Sequence, residues 1–256
     1  MIENNLRERR VPLAAMPERF NFDRVADVYE ETRRLPPLVL EGLAEQVAEA
    51  FGGGRVFDAG AGTGRYARAL ADRGLQVVGL DLSRKMLERA RGRGLDRLAQ
   101  GELTQLPFRD GTFDHAIAIH ILHLVPEWQA MVRELVRVTR TYVASTRETH
   151  EPHIRPSYDE KVGRPERPKA GIDAEDLAGR VSPVLRFPRI TFVERQNAES
   201  YLDLLAKKTF SSQWDVPDEV HDRAMRELRA DLAGKSWDLK RTWELVVWRA
   251  EDLRTL

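Results

Sequence analysis

The chain has 256 residues, with 41 Lys and Arg against 41 Asp and Glu, and it contains no cysteine. This length can bury the core of one large domain, or of one domain with a modest cap. The zero net charge argues against a nucleic-acid binder that depends on bulk positive charge. The lack of cysteine excludes disulfides, Cys-ligated zinc, iron–sulfur clusters and a Cys nucleophile. Thirteen of the 17 glycines lie between Gly42 and Gly111, so we expect unusual backbone geometry in that segment.

The sequence shows no targeting or membrane-spanning segment. Residues 1–10 are charged and lack the apolar run of a secretory signal. The longest apolar stretch, residues 116–125, contains two histidines and is far too short to span a membrane. These features predict a cytoplasmic protein with no membrane partner, and they give no signal for an oligomeric state.

Apolar periodicity and turn residues predict an alternation of helices and strands. A polar tail to about residue 19 precedes a helix through residues 25–29, which Pro36 and Pro37 end. The other predicted helices cover residues 38–51, 64–73, 84–91, from 126 onward, 198–210 and 217–232. The predicted strands cover residues 55–58, 76–81, 95–99, 113–119, 141–145, 189–194 and 242–248. Residues 148–171 are rich in proline and charge, which predicts a loop or a partly ordered lid.

This order of elements predicts the fold class. Strands that alternate with helices of about 10–15 residues are typical of crossover units and a parallel sheet. We therefore predict an α/β fold with a doubly wound, mostly parallel sheet of seven strands. Because a helical segment separates the last two strands, we also expect an antiparallel edge strand and an inserted helical cap.

The richest chemical signal is a glycine turn between the first strand and the next helix. The strand ends at Asp58, and residues 59–64 read Ala-Gly-Ala-Gly-Thr-Gly. A helix N-terminus after such a turn favours an anion, as in a dinucleotide or a nucleoside with a charged tail. However, Arg65 stands where the dinucleotide pattern needs a small residue, and Asp58 would repel a pyrophosphate but attract an amine or a sulfonium. Asp81 ends the next strand, where a carboxylate that accepts ribose hydroxyls is expected.

Five blocks share one order and spacing: Phe22-Asp-x-x-Ala26-x-x-Tyr29-x-x-x-Arg33, Asp58-Ala-Gly-Ala-Gly-Thr-Gly64, Val78-Gly-Leu-Asp-Leu-Ser83-x-x-Met86-Leu, Gly101-Glu-x-x-x-Leu106-Pro-Phe-x-x-x-x-Phe113-Asp and Leu122-His-Leu-Val-Pro-Glu-Trp128. Together they resemble the class I S-adenosylmethionine-dependent methyltransferases, most closely the small-molecule branch with a type 11 methyltransferase domain. The resemblance covers about residues 20–147. It implies a Rossmann-like cofactor core at 36–150, a tail and cover helix at 1–35, and a lid, cap and last two strands at 151–256.

The resemblance implies a cofactor, S-adenosylmethionine, and places its methionine part above the turn at residues 60–64. Asp58 would face the amino group of the cofactor, although a carboxylate there could also cap the following helix. Tyr29 and Arg33 would cover the site, with Arg33 as a partner for the carboxylate, unless both are ordinary surface residues. Ile119 would lie beside the reactive methyl.

The same resemblance assigns the adenosine part. Asp81 would bind the ribose, although it could also be a plain turn residue. Leu82 would pack on the adenine, Glu102 (where the family usually has Asp) would accept from the adenine amino group, and the N–H of Leu103 would meet the ring. Met86 is included among the predicted cofactor contacts, although its position also fits a residue of the hydrophobic core. The full predicted cofactor set is Tyr29, Arg33, Asp58, Ala59, Gly60, Gly62, Gly64, Asp81, Leu82, Met86, Glu102, Leu103, Ile119 and His120.

Histidines occur in two pairs, His120 with His123 and His150 with His153. Such pairs fit a metal site, a general base or a structural role. We expect no metal, because metal-dependent methyltransferases use clustered carboxylates that this sequence lacks. His120 is the candidate general base, since it ends the fourth strand beside the methyl group, but the sequence shows no residue that would orient it.

These signals predict an S-adenosylmethionine-dependent methyltransferase that acts by in-line displacement, mainly through positioning. Residues 119–123 read Ile-His-Ile-Leu-His instead of the tetrad used for exocyclic amino groups of DNA, and no Cys is present for C5 methylation of pyrimidines. We therefore predict a small-molecule acceptor and no nucleic acid, with the pocket shaped by the lid and by the inserted helices. The alternatives are an NAD-dependent oxidoreductase and a non-catalytic cofactor-binding protein.

Overall fold

The computed structural model describes residues 21–151, 155–163 and 170–256. Its strands are β1 (Arg55–Ala59), β2 (Gln76–Asp81), β3 (Leu98–Gln100), β4 (Phe113–Ile117), β5 (Thr139–Glu151), β6 (Leu185–Arg186), β7 (Ile190–Asn197) and β8 (Ser236–Arg249). Its helices are α1 (Tyr29–Thr32), α2 (Pro37–Phe51), α3 (Arg65–Ala71), α4 (Arg84–Gly92), α5 (Trp128–Val138), α6 (Arg155–Lys161), α7 (Ala174–Arg180), α8 (Ala198–Ala206) and α9 (Asp218–Leu232). The predicted polar tail lies outside the described residues.

The described strands form one sheet in the order β3-β2-β1-β4-β5-β8-β6, and β7 also pairs with β8. Strands β1 to β5 are parallel to one another, whereas β8 runs antiparallel to β5, β6 and β7. This confirms the predicted α/β fold with an antiparallel edge. The sheet has one strand more than predicted, because β6 contains only two residues and is too short to give a sequence pattern.

Both faces of the sheet are covered by helices, as expected for a doubly wound fold. In β1, the adjacent residues Val56 and Phe57 point to opposite faces because side chains alternate along a strand. Val56 belongs to a core with α2 and α3, and Phe57 belongs to a core with α5 and α7. Both side chains are fully buried. This explains why the strand sequence is continuously apolar before it reaches Asp58.

Helices α8 and α9 are inserted between β7 and β8 and form the cap together with α6. The cap has its own small core, which contains Tyr158, Leu202, Leu205, Ala224, Met225 and Leu228. The prediction of a loop over residues 148–171 is wrong where it overlaps described elements. Residues 148–151 continue β5, because they pair with residues 240–243 of β8, and Arg155–Lys161 is helical. Residues 152–154 and 164–169 lie outside the described part.

The N-terminal segment also differs from its prediction. Instead of a helix through residues 25–29, the structure has a 3-10 turn at Phe22–Arg24 and the short helix α1. The segment is fixed by contacts with α4 more than by helical periodicity. Asp23 accepts hydrogen bonds from the hydroxyl of Ser83 and from the N–H of Lys85, at the N-terminus of α4.

Candidate active site

The order β3-β2-β1-β4 changes direction between β1 and β4, so the carboxyl ends of these two strands open a crevice. The glycine turn lies at this point. Gly60, Gly62 and Gly64 have φ values of 74°, 55° and 77°, a region that favours glycine. The N–H groups of Gly60 and Ala61 both donate to the Leu80 carbonyl, at 2.9 and 3.0 Å. The turn is therefore fastened to β2, and its open side faces the crevice.

Gly60 and Gly64 are closely packed, whereas Gly62 is not: a Cβ at Gly60 would lie 2.8 Å from Cγ1 of Ile121. A Cβ at Gly64 would lie 2.9 Å from the Cβ of Ala90 on α4, whereas a Cβ at Gly62 would meet nothing closer than the Gly60 carbonyl at 4.0 Å. Gly64 therefore allows α3 and α4 to approach each other. Its assignment as a cofactor contact stays a prediction.

Asp58 is a buried carboxylate at the end of β1, with 2% of its surface exposed. Its Oδ2 atom has no hydrogen-bond partner among the described residues. Burial, reinforced by the nearby charge of Asp81, raises the pKa of Asp58 to about 7. It does not cap α3, whose N-cap is Gly64 without a side-chain hydrogen bond. A buried acceptor without a partner fits a cationic group such as the amino group of the expected cofactor.

Asp81 connects the turn with the next helix. Its carboxylate accepts hydrogen bonds from the N–H groups of Gly62 and Ser83, both at 2.8 Å. Ser83 in turn caps α4 by accepting from the N–H of Met86 at 3.1 Å. Burial raises the pKa of Asp81, and these backbone hydrogen bonds lower it in part. Asp81 therefore does more than form a local turn, because it also accepts a hydrogen bond from Gly62. Its remaining lone pairs suit ribose hydroxyls.

The predicted adenine contacts lie at the ends of β2 and β3. The N–H of Gly101 donates to the Asp81 carbonyl at 3.1 Å, which brings the start of the Glu102 segment to the end of β2. Gln100 donates to the Leu82 carbonyl at 3.0 Å on the same side. Leu103 packs against the core. The ends of β2 and β3 are therefore joined next to Asp81, and the adenine roles of Leu82, Glu102 and Leu103 stay predictions.

The N-terminal segment covers the turn through acidic contacts. Glu30 accepts from the Thr63 hydroxyl at 2.6 Å and pairs with Arg93 of α4. Tyr29 packs edge-on against Phe22, and burial raises the pKa of its phenol. The N-terminal segment therefore packs over the turn and is built mostly from turns itself, and its role as a cover for the cofactor stays a prediction.

Two arginines lie near the cover, and they point in different directions. The Arg33 guanidinium lies 4.1 Å from the ring centre of Phe210 and donates to the Thr209 carbonyl at 3.4 Å. Arg33 is thus held against the cap. Arg65, in the first turn of α3, donates to the Arg33 carbonyl at 2.8 Å, and its side chain is only 15% exposed. Arg65 is therefore a second candidate partner for a cofactor carboxylate. In the sequence, Arg65 serves only as evidence against a dinucleotide site.

A cavity of about 2530 Å³ opens in front of the turn, between the sheet and the cap. Six of the predicted site residues line it: Tyr29, Arg33, Gly60, Gly62, Ile119 and His120. The other predicted residues do not line it: Asp58, Ala59, Gly64, Asp81, Leu82, Met86, Glu102 and Leu103. Met86 is 1% exposed and packs in the interior. The cavity therefore begins at the glycine turn and extends towards the cap, whereas Asp58, assigned to the cofactor amino group, is not part of its lining.

His120 is one of two described non-glycine residues with a positive φ, at 57°. Its Nε2 atom lies 3.6 Å from Oε2 of Glu148 on β5. Burial lowers the pKa of His120, although the charge of Glu148 opposes this effect. Contacts with His150, His120 and Arg241 outweigh burial and hold the pKa of Glu148 at about 2. In the sequence, Glu148 stands out only beside the second histidine pair, and its contact with His120 is not visible because Glu148 lies beyond the predicted end of the strand.

Tyr66 is another cavity residue that the sequence analysis did not select. It follows Arg65 in the first turn of α3, and its ring centre lies 6.4 Å from that of His120. Its hydroxyl is buried without a hydrogen-bond partner in the described structure, and burial raises its pKa. A buried hydroxyl of this kind can donate to a ligand in the cavity. Its place directly after the glycine turn is the signal that could have identified it.

The described residues contain no group of three or more His, Cys, Asp or Glu arranged to hold a metal ion. His153, from the second histidine pair, lies outside the described residues. Within the same described part, no helix has the length and apolar character needed to cross a membrane.

The fold defines the class of protein. A putative methyltransferase from Bacillus halodurans shares it with a TM-score of 0.54 at 18% identity, covering 82% of this chain and 98% of that one. The [4+2]-cyclase SpnF shares it with a TM-score of 0.53 at 19% identity, covering 89% and 93%. These likenesses show the Rossmann-like methyltransferase fold alone, since one neighbour is described as a cyclase.

About a third of the chain matches a known family by sequence. Residues 57–142 match the family described as a methyltransferase domain. A demethylmenaquinone methyltransferase of Renibacterium salmoninarum is 36% identical over 55% of this chain and 59% of that protein. A malonyl-[acyl-carrier protein] O-methyltransferase of Serratia marcescens is 32% identical over 46% and 47%. This region is therefore similar to the class I S-adenosylmethionine-dependent methyltransferases, and the chain spans about half the length of these curated relatives.

Proposed function

We propose that this protein transfers the methyl group of S-adenosylmethionine to a small-molecule acceptor in the cavity. The observation that carries this proposal is the buried carboxylate of Asp58 next to the glycine turn, whose Oδ2 atom has no hydrogen-bond partner among the described residues. Such a group suits the ammonium of an amino-acid tail and does not suit the pyrophosphate of a nicotinamide cofactor. The named relatives are methyltransferases, so the oxidoreductase alternative has no support.

The residues of the chain supply positioning. The bound cofactor supplies an electrophilic methyl group on a sulfonium. Asp58 and Arg65 are proposed to hold the amino and carboxylate groups, Asp81 the ribose, and the segment of Leu82, Glu102 and Leu103 the adenine. The cover formed by residues 21–34 excludes water from this end of the site. The predicted cytoplasmic location and the absence of nucleic-acid partners stay predictions.

The acceptor space is distinct from the cofactor end. Aromatic side chains line its cap side, among them Phe210, Trp214 and Trp237, and the polar residues His120 and Glu148 lie on the wall formed by the sheet. Such a mixed lining fits an acceptor with an apolar body and one polar reacting group. The relatives named above act on different acceptors according to their names, so the acceptor is argued from this lining.

Two separate measurements, of cofactor binding and of methyl transfer, test the proposal. Isothermal calorimetry should show binding of S-adenosylhomocysteine and none of NADH; the reverse result would overturn the proposal. Incubation with methyl-tritiated cofactor and a broad metabolite library should then give a labelled product. If S-adenosylhomocysteine binds but no compound is labelled, the non-catalytic alternative is supported instead.

A further inference from the structure

Glu148 is the centre of a polar cluster on the cavity wall, formed by Glu148, His120, His150 and Arg241 and called here the Glu148 cluster. Arg241 on β8 donates to Oε1 of Glu148 from Nε and Nη2, at 3.1 and 2.8 Å. Nε2 of His150 lies 3.1 Å from the same oxygen. The other oxygen, Oε2, faces Nε2 of His120 at 3.6 Å. The two oxygens therefore have different partners, and Oε2 is directed at His120.

The backbone conformation of His120 supports a functional role for the contact between His120 and Glu148. A positive φ is uncommon for residues other than glycine and persists where the surroundings enforce it. At this position it follows the end of β4, at the crevice beside the glycine turn. The Arg241 pair already balances the charge of Glu148, so His120 is not needed to compensate a buried carboxylate. The distance of 3.6 Å is longer than a hydrogen bond, and catalytic contacts often tighten only when ligands bind.

We propose that Glu148 is a positioning residue that directs Nε2–H of His120 towards its carboxylate and so leaves Nδ1 as the basic nitrogen for an acceptor hydroxyl. The inference rests on the proposed methyl transfer. The hydroxyl oxygen forms a bond to the methyl carbon, the carbon–sulfur bond breaks with its electron pair staying on sulfur, and the hydroxyl proton moves to Nδ1. The carboxylate then stabilises the imidazolium, as an orienting acid does in other His-based sites.

The surroundings of His120 favour the neutral ring that a base requires. Burial lowers its pKa most strongly, and the cations Arg241 and Arg65 act in the same direction, as does His150. Glu148 acts in the opposite direction, and Tyr66 lies nearby on α3. An amine acceptor can attack with its own lone pair and release its proton later. A base at this position is therefore useful mainly for a hydroxyl acceptor, which is the class we assign.

Nitrogen-15 NMR of histidine-labelled protein tests the positioning role without any acceptor. We expect His120 to be the Nε2–H tautomer in the wild type. Glu148→Gln should mix the tautomers and lower the His120 pKa by about one pH unit. Glu244→Gln is the matched control, since Glu244 is a buried carboxylate on β8 that pairs with Arg186 and Arg147 instead. An unchanged tautomer and pKa in Glu148→Gln would overturn the proposal.

Two further measurements keep the test decisive. If Glu148→Gln does not fold, Glu148→Asp keeps the charge for Arg241 but withdraws the carboxylate, and it should lose the tautomer preference. Calorimetry with S-adenosylhomocysteine separates the two proposals: failure of the wild type to bind rejects the proposed function, whereas normal binding with an unresponsive His120 rejects only the role of Glu148.

The acceptor class is tested with 1-naphthol and 1-naphthylamine, which share one ring system, and with methyl-tritiated cofactor. Methylation of the naphthol that falls tenfold or more in Glu148→Gln, but not in Glu244→Gln, supports the assignment. Methylation of the naphthylamine alone, at an equal rate in Glu148→Gln, contradicts it. With neither compound labelled, the NMR comparison decides the positioning role.

Discussion

Asp58 and Asp81 end two neighbouring parallel strands, and their buried carboxylates repel each other. Strand β1 pairs with β2 so that Asp58 lies opposite Gly79, two residues before Asp81. The charge of Asp81 adds to burial in raising the Asp58 pKa. The carboxylates of Asp58 and Asp81 differ in their hydrogen-bond partners. Asp81 is hydrogen-bonded to two backbone N–H groups, whereas Oδ2 of Asp58 has no partner in the described structure. Asp58 therefore has the strongest physical reason to bind a cation.

This arrangement predicts a pH dependence of cofactor binding. The pKa of Asp58 is raised to about 7, so the free protein carries a proton there below that pH, and an ammonium ligand must displace it. The affinity for S-adenosylhomocysteine should rise about tenfold per pH unit from pH 5.5 and level off near pH 7. Calorimetry over this range checks it. In Asp58→Asn the slope should disappear and binding at pH 7 should weaken; a slope equal to that of the wild type would contradict the assignment.

The raised pKa of Asp58 also affects the stability of the free protein, which should fall over the pH range in which cofactor affinity rises. Because the folded pKa is above the ordinary value, the protonated form stabilises the fold at low pH, and this contribution is lost as the pH rises from about 4 to about 7. The difference in melting temperature between Asp58→Asn and the wild type should therefore grow in favour of the variant over that window. Calorimetric melting at pH 5 and pH 8 measures it. A constant difference would show that Asp58 is not buried in the free protein.

The glycines of the turn should separate into packing and ligand roles. Gly64→Ala combines a left-handed backbone with a close approach to Ala90, so we expect a loss of about 3 kcal/mol in the free energy of unfolding. Gly62→Ala has the backbone strain but no close neighbour, and should lose about 1 kcal/mol. Urea denaturation measures both. Equal losses in the two variants would be inconsistent with the close packing of α3 on α4.

Asp81 should contribute to binding through its charge. We expect Asp81→Ala to weaken binding of S-adenosylhomocysteine by about 1.5–3 kcal/mol, because a charged acceptor is lost. Asp81→Asn is the control: the N–H groups of Gly62 and Ser83 bond to different carboxylate oxygens, so the amide keeps an acceptor for one of them and should weaken binding less. Calorimetry of both variants checks this order. Unchanged affinity in Asp81→Ala would contradict the ribose role.

The sequence was sufficient for those parts of the site that are local along the chain. A strand, a glycine turn and a helix follow one another between residues 55 and 71, so the turn and Asp58 could be identified directly. Glu148 could not, because its contact with His120 depends on how far β5 extends along β8. That extension contains polar residues, and sequence patterns indicate burial better than they indicate pairing. The two-residue strand β6 and the helices α6 and α7 were missed for related reasons, since each is too short to show a period.

The two arginines near the cover should have separable roles, although the resemblance pointed to Arg33. Both guanidiniums lie 6.0 Å from the ring centre of Tyr29, but Arg65 borders the turn, whereas Arg33 also contacts Phe210 and Thr209 of the cap. We expect Arg65→Met to weaken binding of S-adenosylhomocysteine about tenfold or more, and to leave binding of methylthioadenosine, which lacks the amino-acid tail, unchanged. Arg33→Met should affect the melting temperature more than either affinity. Calorimetry with the two ligands distinguishes the roles. If Arg33→Met selectively weakens S-adenosylhomocysteine and Arg65→Met does not, the assignment suggested by the resemblance is correct and the role of Arg65 is structural.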